Sequence, residues 1–334
     1  MVQYRDMTAS NLYVHFPFCR TKCAYCALYS HCNATEEERT AYVRHLAQLI
    51  APLPPFATVY FGGGSPALCG LEPALSALKL SPQAEFTVEL HPLDATDKTL
   101  AALRAGGVNR ISMGVQSLDD ATLSAMGRGY GIRAAEAAFA RVRRYFDNAG
   151  IDLIVGFPGD PCVGWNRLLD WGLTHCSVYS LQNERGLENV PEDALVLDKI
   201  REVSAVLAEM GLLRYEISNY AVPGRECRHN LAVWRGEDYL GLGDGAYGRI
   251  GLRRTRNLGG KHPEEERVTP EEDALERRIF RLRTREGLDA SSRPDWERAL
   301  APSVAEGLLT RDGRLYRLTP RGAEVCDAIL AELV

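Results

Sequence analysis

Six short apolar, β-branched runs punctuate the first two-thirds of this 334-residue chain: Leu12–Phe16, Thr58–Phe61, Phe86–Leu90, Ile111–Val115, Ile151–Val155 and Ser177–Leu181. Short apolar runs bounded by turn residues read as buried strands. The segments between them carry helix-length patterns, such as Glu36–Ile50 and Arg133–Phe146. Strands that alternate with helices imply a parallel sheet with helices on its outer face. Six such units predict an α/β fold, a partial (β/α)6 barrel of the TIM type. Nearly every run ends in distinctive chemistry: a cysteine loop, Gly62-Gly63-Gly64, Glu89, Gln116, Asp152 and Gln182. Barrels of this kind build their site at the C-terminal ends of the strands.

The loop after the first run places Cys19, Cys23 and Cys26 in a C-x3-C-x2-C spacing. Three thiolates so close in sequence can hold one corner of an iron–sulfur cluster and leave the fourth iron without a protein ligand. An open iron can bind and activate a small molecule. A structural zinc site is the alternative. Zinc takes four closed ligands, and His31 or Cys32 could supply the fourth. The second C-x2-C pair or His pair usual for zinc does not follow.

The remaining cysteine usage points to a reducing compartment. The count of nine is odd, and Met1 to Ser10 is polar with no apolar core segment of a secretory leader. No run of about 18 apolar residues suggests a membrane span. A cytoplasmic location is expected, with Cys69, Cys162, Cys176 and Cys326 as small core hydrophobes. A net charge of −5 gives no electrostatic case for nucleic acid, despite the short basic runs Arg141–Arg144 and Arg253–Arg256.

The pattern changes after Glu184. Pro191–Met210 reads as one helix, and Arg214 to Gly251 is loop-rich, dense in Gly, Asn and aromatics. Pro270 to Val334 reads helix, helix, short strand pair, helix. Asp312-Gly313 marks the hairpin turn, and Thr319-Pro320 starts the last helix with Thr as N-cap and Pro at the first position. This predicts a small α+β, winged-helix-like C-terminal domain. The expected division is 1–213 for the barrel, 214–265 for a connecting segment and 266–334 for the C-terminal domain.

The cysteine spacing resembles that of the radical S-adenosylmethionine (SAM) superfamily. Five segments sharpen the resemblance: Tyr13-Val14-His15-Phe16-Pro17-Phe18-Cys19, Gly62-Gly63-Gly64-Ser65-Pro66, Gly114-Val115-Gln116-Ser117, Asp152 to Pro158, and Tyr215-Glu216-Ile217-Ser218-Asn219-Tyr220. Together they resemble the oxygen-independent coproporphyrinogen III oxidase family, and within it the HemW-type branch of haem chaperones. Oxidases of that family carry a further cysteine two places after the third, where this chain has Leu28, and an N-terminal arm for which it has no room.

The resemblance implies a [4Fe-4S] cluster on Cys19, Cys23 and Cys26 that chelates the methionine end of SAM. One electron then cleaves the sulfonium bond to give a 5′-deoxyadenosyl radical, chemistry that the cofactor supplies and the protein positions. Gly63, Gly64 and Ser65 would meet the methionine amino group, Arg128 the carboxylate, and Asp152 the ribose hydroxyls. Glu89 could accept from a ribose or pair with an ammonium. Tyr25 would cover the cluster and touch adenine. Tyr13, Gln116 and Gln182 complete the cofactor-binding set, with His15 beside Tyr13 and His91 orienting a loop.

In the HemW-type branch an H-N-x-x-Y element is linked to haem. Here His229 and Asn230 are present, and Val233 stands in the Tyr place. Tyr247 and Tyr130 replace histidines usual in two other motifs. His229 remains a candidate axial haem ligand, since neutral imidazole suits iron; alternatively it anchors a loop beside Trp234. The implied partners are haem or another tetrapyrrole, a one-electron donor of flavodoxin or ferredoxin type, and a haem-accepting apoprotein. Two functions follow: a haem chaperone, or a radical SAM enzyme acting on a tetrapyrrole or another substrate by oxidative decarboxylation, ring opening or methyl transfer.

Overall fold

The computed structural model describes residues 9–259 and 263–333. The polar N-terminal stretch therefore lies outside the described residues, apart from Ala9 and Ser10. The first part of the chain runs β1 (Asn11–Phe16), α1 (Glu36–Ile50), β2 (Phe56–Gly63), α2 (Glu72–Ala77), β3 (Leu80–Leu90), α3 (Asp97–Ala105), β4 (Arg110–Gln116), α4 (Asp120–Ala125), α5 (Ile132–Tyr145), β5 (Ala149–Val155), β6 (His175–Ser180) and α6 (Asp193–Glu209). Strands β1 to β6 pair in sequence order, all parallel. Local chemistry sets the helix starts: Thr35 and Glu38 form a capping box on α1, and Thr96 caps α3. Between β5 and β6 the crossover is only a 3-10 turn, Trp165–Asp170.

The strand pleat sorts side chains into two sets. Leu12, Val14, Val59, Phe61, Phe86, Val88, Ile111, Met113, Ile151 and Leu153 join the helix-facing core. The alternate residues face the barrel lumen and are largely polar or aromatic. Register aligns Tyr13, Tyr60, Thr87 and Arg110 in one row across the sheet. Glu89, Ser112, Gly150 and His175 form the next, and Gly114, Asp152 and Ser177 a third.

The stretch read as loop-rich, with the residues just before and after it, supplies β7 (Leu213–Arg214), β8 (Asn219–Ala221), α7 (Arg228–Trp234), β9 (Tyr239–Leu242), β10 (Tyr247–Ile250), β11 (Arg253–Arg256) and β12 (Glu264–Arg267). These strands extend the same sheet at both edges, in the order β12-β11-β10-β9-β1-β2-β3-β4-β5-β6-β8-β7. β9 is parallel to β1, and β8 is antiparallel to β6. Strands of two to four residues broken by glycines are too short to register as a period.

Helix α7 reaches into the lumen. The backbone N–H groups of Arg228 and His229 donate to the two carboxylate oxygens of Glu85 at 3.0 Å each. Glu85, buried on β3, thus satisfies orphan donors of the helix start.

The C-terminal unit runs α8 (Pro270–Leu282), β13 (Leu288–Asp289), α9 (Pro294–Ala305), β14 (Leu309–Asp312), β15 (Leu315–Leu318), α10 (Pro320–Glu324) and α11 (Cys326–Ala331). Trp296, Leu300, Leu309, Tyr316 and Ile329 form its own core. The β14–β15 hairpin turns at Asp312-Gly313 as expected, and Thr319 caps α10 with Pro320 at its start. The sequence reading missed β13, which adds a third strand, and the last helix is split at Val325. Among the described residues no helix is long and apolar enough to cross a membrane.

Candidate functional site

The cysteine loop leaves β1 and folds back on itself. Cys19 N–H donates to the His31 carbonyl at 2.9 Å, and His31 N–H to that of Pro17 at 2.6 Å. The glycine turn after β2 presses against it. Gly64 N–H donates to the Phe16 carbonyl at 2.8 Å, and Ser65 N–H to that of Phe18 at 2.7 Å. A Cβ on Gly64 would stand 2.4 Å from the Phe18 oxygen and 2.8 Å from Cys19 Sγ, so only glycine fits.

Cys19, Cys23 and Cys26 line one wall of a cavity of about 620 Å³ at the C-terminal ends of the strands. Gly63, Gly64, Glu89, Gln116, Arg128, Asp152, Gln182 and Tyr25 line the same cavity. Neither His31 nor Cys32 is among its lining residues. Among the described residues, no three His, Cys, Asp or Glu side chains converge closely enough to hold one ion. Three cysteines on the lining of one open cavity are the donor number that a cluster with an open iron takes, one fewer than a closed zinc site. The donor set therefore fits a [4Fe-4S] group with an open iron.

The cavity's charges are held in place. Arg128 Nη1 lies 3.2 Å from Cys23 Sγ, its Nη2 donates to the Gly114 carbonyl at 2.6 Å, and its Nε donates to Tyr130 Oη at 3.0 Å. Tyr130, in the place of a histidine usual in the resembling family, is thus a support for Arg128. Glu89 accepts from Tyr60 Oη at 2.9 Å and from the Gly63 N–H at 3.0 Å. Burial, and then the negative Asp152, push the Glu89 carboxyl up to about 7. Burial also raises Asp152, which accepts from Ser112 Oγ at 3.0 Å. Gln116 sits at a β-bulge with φ +78°, a strained conformation for a non-glycine residue. Its amide lies over Gly114, where a Cβ would come within 2.6 Å of Nε2.

Ser65 does not line the cavity. Its hydroxyl donates to Asp94 Oδ2 at 2.6 Å, and Asp94 pairs with Arg20 of the cysteine loop. His91 lines the cavity, and its Nδ1 accepts from the Leu93 N–H at 3.3 Å, capping the turn after β3.

Tyr13 and His229 lie in a second cavity of about 720 Å³. It adjoins the first, since Ala27, Leu28, Tyr60, Glu89, Tyr179, Glu184 and Ser218 line both. His229 is 4% exposed, with Tyr60, Tyr13 and Tyr239 around its ring at 5.4, 6.4 and 6.4 Å between centres. Its Nδ1 is 2.9 Å from Thr58 Oγ1, and no hydrogen bond engages Nε2 among the described residues. Burial, and then the cationic Arg110, push the imidazole down to about 3, so it stays neutral. Val233 lines this cavity too. Tyr13 Oη lies 2.9 Å from His15 Nδ1.

Sequence reasoning missed Tyr60, Tyr179, Thr58, Glu85 and Tyr239. Its one available signal was the pleat of β2: Thr58, Tyr60 and Gly62 alternate with the core residues Val59 and Phe61.

Comparison with known proteins identifies the family and the fold. The radical SAM superfamily model matches residues 13–170. A heme chaperone HemW from Mycobacterium tuberculosis is 32% identical, over 97% of this chain and 94% of that protein. A heme chaperone HemW from Lactococcus lactis is 30% identical over 97% of each. The solved coproporphyrinogen III oxidase HemN of Escherichia coli, described as a radical SAM enzyme, superposes with a TM-score of 0.83 at 22% identity, over 99% of this chain and 91% of that one. That likeness establishes the fold. The superfamily implies a [4Fe-4S] cluster and SAM, for which the first cavity has the donors. The chain belongs to the radical SAM superfamily and, within it, to the family of the HemW-type proteins.

Proposed function

We propose that this protein is a HemW-like haem chaperone that binds haem in the second cavity and passes it to an apoprotein. The observation that carries this reading is His229, a neutral imidazole in an aromatic-walled cavity of about 720 Å³ with its Nδ1 tied to Thr58 and its Nε2 without a hydrogen-bond partner among the described residues. A fixed Nδ1 contact orients the ring and leaves the other nitrogen for a metal. Cys19, Cys23 and Cys26 would hold the cluster, Arg128 would face the carboxylate of SAM, and Glu89 and Asp152 its ribose hydroxyls. When bound, the cluster and SAM together supply a 5′-deoxyadenosyl radical. A one-electron donor of flavodoxin or ferredoxin type would then be a partner.

The shared wall favours a second reading, catalysis. The side chains of Tyr60, Glu89 and Tyr179 line both cavities. A ligand in the second cavity is then within reach of chemistry begun in the first, as an enzyme acting on a tetrapyrrole would require.

One experiment separates the readings. Anaerobically reconstituted, reduced protein is given SAM with and without haem, and 5′-deoxyadenosine is quantified alongside haem bound. Stoichiometric haem capture with little SAM cleavage is expected. Haem-stimulated cleavage over many equivalents would replace the chaperone reading with the enzymatic one.

A further inference from the structure

Arg256 is the one lysine or arginine among the described residues that line the second cavity. Its guanidinium stands over the Tyr247 ring, 5.5 Å from the centre. Tyr247 is 54% exposed at the cavity mouth. Most arginines nearby are committed to carboxylates: Arg249, Arg254 and Arg277 to Asp273, and Arg235 to Glu286. No ion pair joins Arg256 to a carboxylate among the described residues, although Glu264 stands opposite it across the β11–β12 pair. The strand register places Arg256 opposite Tyr247 across the β10–β11 pair.

The cavity's negative groups lie elsewhere. Glu184 and Glu216 follow β6 and β7, toward the other end of the strand order from β11, and Glu89 lies next to the last residue of β3, near the middle of that order. An anionic ligand entering this cavity finds Arg256 as the one cationic side chain of Lys or Arg type on its lining, while Glu184 and Glu216 line it elsewhere. Like charge repels and the guanidinium matches carboxylate geometry, so the ligand has one favourable orientation. Between these poles the wall is aromatic: Tyr13, Tyr60, Trp234 and Tyr239.

We infer that Arg256 recognises the ionised carboxylates of a flat, apolar macrocycle and thereby sets which edge of a tetrapyrrole faces the cavity mouth. This inference rests on the proposed tetrapyrrole ligand and goes beyond it by assigning the residue that selects its acid form and orientation. Arg256 would act in binding the carboxylates, while His229 would supply the nitrogen for the metal.

The test compares four probes on the reconstituted full chain: haem, haem dimethyl ester, metal-free protoporphyrin IX and its dimethyl ester. Each is titrated by visible absorbance against wild-type protein and R256Q. Wild type is expected to bind both free acids roughly tenfold more tightly than their esters, and R256Q to lose that preference while its ester affinity is unchanged. Equal affinity of wild type for acid and ester overturns the inference without any variant. So does an R256Q loss that is the same for acid and ester, which would mark Arg256 as a packing residue of the hairpin. Either result with haem still bound leaves the chaperone reading standing. Acid preference for the metal-free porphyrin with no haem capture would sink that reading and keep this one. Binding of none of the four probes overturns both.

Discussion

Arg128 Nη1 lies 3.2 Å from Cys23 Sγ while Nη2 of the same guanidinium donates to the Gly114 carbonyl at 2.6 Å. One buried cation thus ties the cysteine loop to β4 and still faces the cavity. Replacing Arg128 by Met is expected to weaken SAM binding about 10- to 100-fold, the size of a lost charge-assisted hydrogen bond. Equilibrium dialysis with reconstituted protein measures it. Unchanged affinity, with a destabilised loop, would reduce Arg128 to a structural tie.

Cys19→Ala, Cys23→Ala and Cys26→Ala should each abolish the cluster, because three thiolates are the minimum for an open-iron site. Cys32→Ala should keep it, since Cys32 lies outside the cavity. Iron and sulfide content after anaerobic reconstitution decides the matter. Full iron loss in the Cys32 variant would overturn the three-cysteine site.

Gly64 is where backbone and cluster loop come closest. A methyl group 2.4 Å from the Phe18 oxygen must move the loop that carries Cys19. Gly64→Ala is expected to cost about 1–3 kcal/mol of stability in the cluster-free protein and to lower reconstituted iron. Denaturant titration and iron assay read both. Gly127→Ala is the control: its φ of +77° brings a backbone strain that Gly64 lacks, but the space around the added group is open. A Gly64 variant no worse than that control would dismiss the steric argument.

Glu89 gives the cluster-free protein a pH signature. Its carboxyl rises from 4.5 to about 7 in the folded chain, through burial first and Asp152 second. The folded state therefore holds a proton that the unfolded state releases between these values. Stability contributed by this group falls as pH rises from 4.5 to about 7, and is level above. Glu89→Gln should flatten that slope relative to wild type in urea midpoints measured across the window. Parallel curves for the two proteins would place the Glu89 titration elsewhere.

His229 should behave oppositely to an exposed histidine. Held neutral down to about 3, it offers its Nε2 lone pair throughout the physiological range. Ferric haem binding to wild type is expected to keep its imidazole-type spectrum from about pH 8 to about pH 5, and His229→Ala to lose it. Thr58→Val should broaden or shift the spectrum by freeing the ring at Nδ1. A spectrum that persists in His229→Ala would assign the ligand elsewhere.

The strands β1 to β6, helices α1, α5 and α6, and the C-terminal hairpin were legible because each is long or carries a strong signal: apolar runs, a helical period, Asp312-Gly313, Thr319-Pro320. The cysteine loop, glycine turn, Glu89, Gln116, Arg128, Asp152 and Gln182 were legible because a barrel brings every strand end to one mouth. The direction of the Ser65 hydroxyl was not legible, because a strand-end position does not reveal which way a hydroxyl points; it donates to Asp94, which Arg20 holds.

What the sequence determined by itself was the alternation that makes the barrel and the local spacing that makes the three-thiol wall. Both depend on residues close together in the chain, so periodicity and spacing express them. Tertiary structure alone decided the second cavity. Thr58 meets His229 across 171 positions, Glu85 closes the start of α7 from 144 positions away, and β9 to β11 carry Tyr239 and Arg256 to an edge that begins at β1. Such pairings are set by where the sheet ends and what must fill its lumen. A short, glycine-broken stretch states neither until the barrel around it is built.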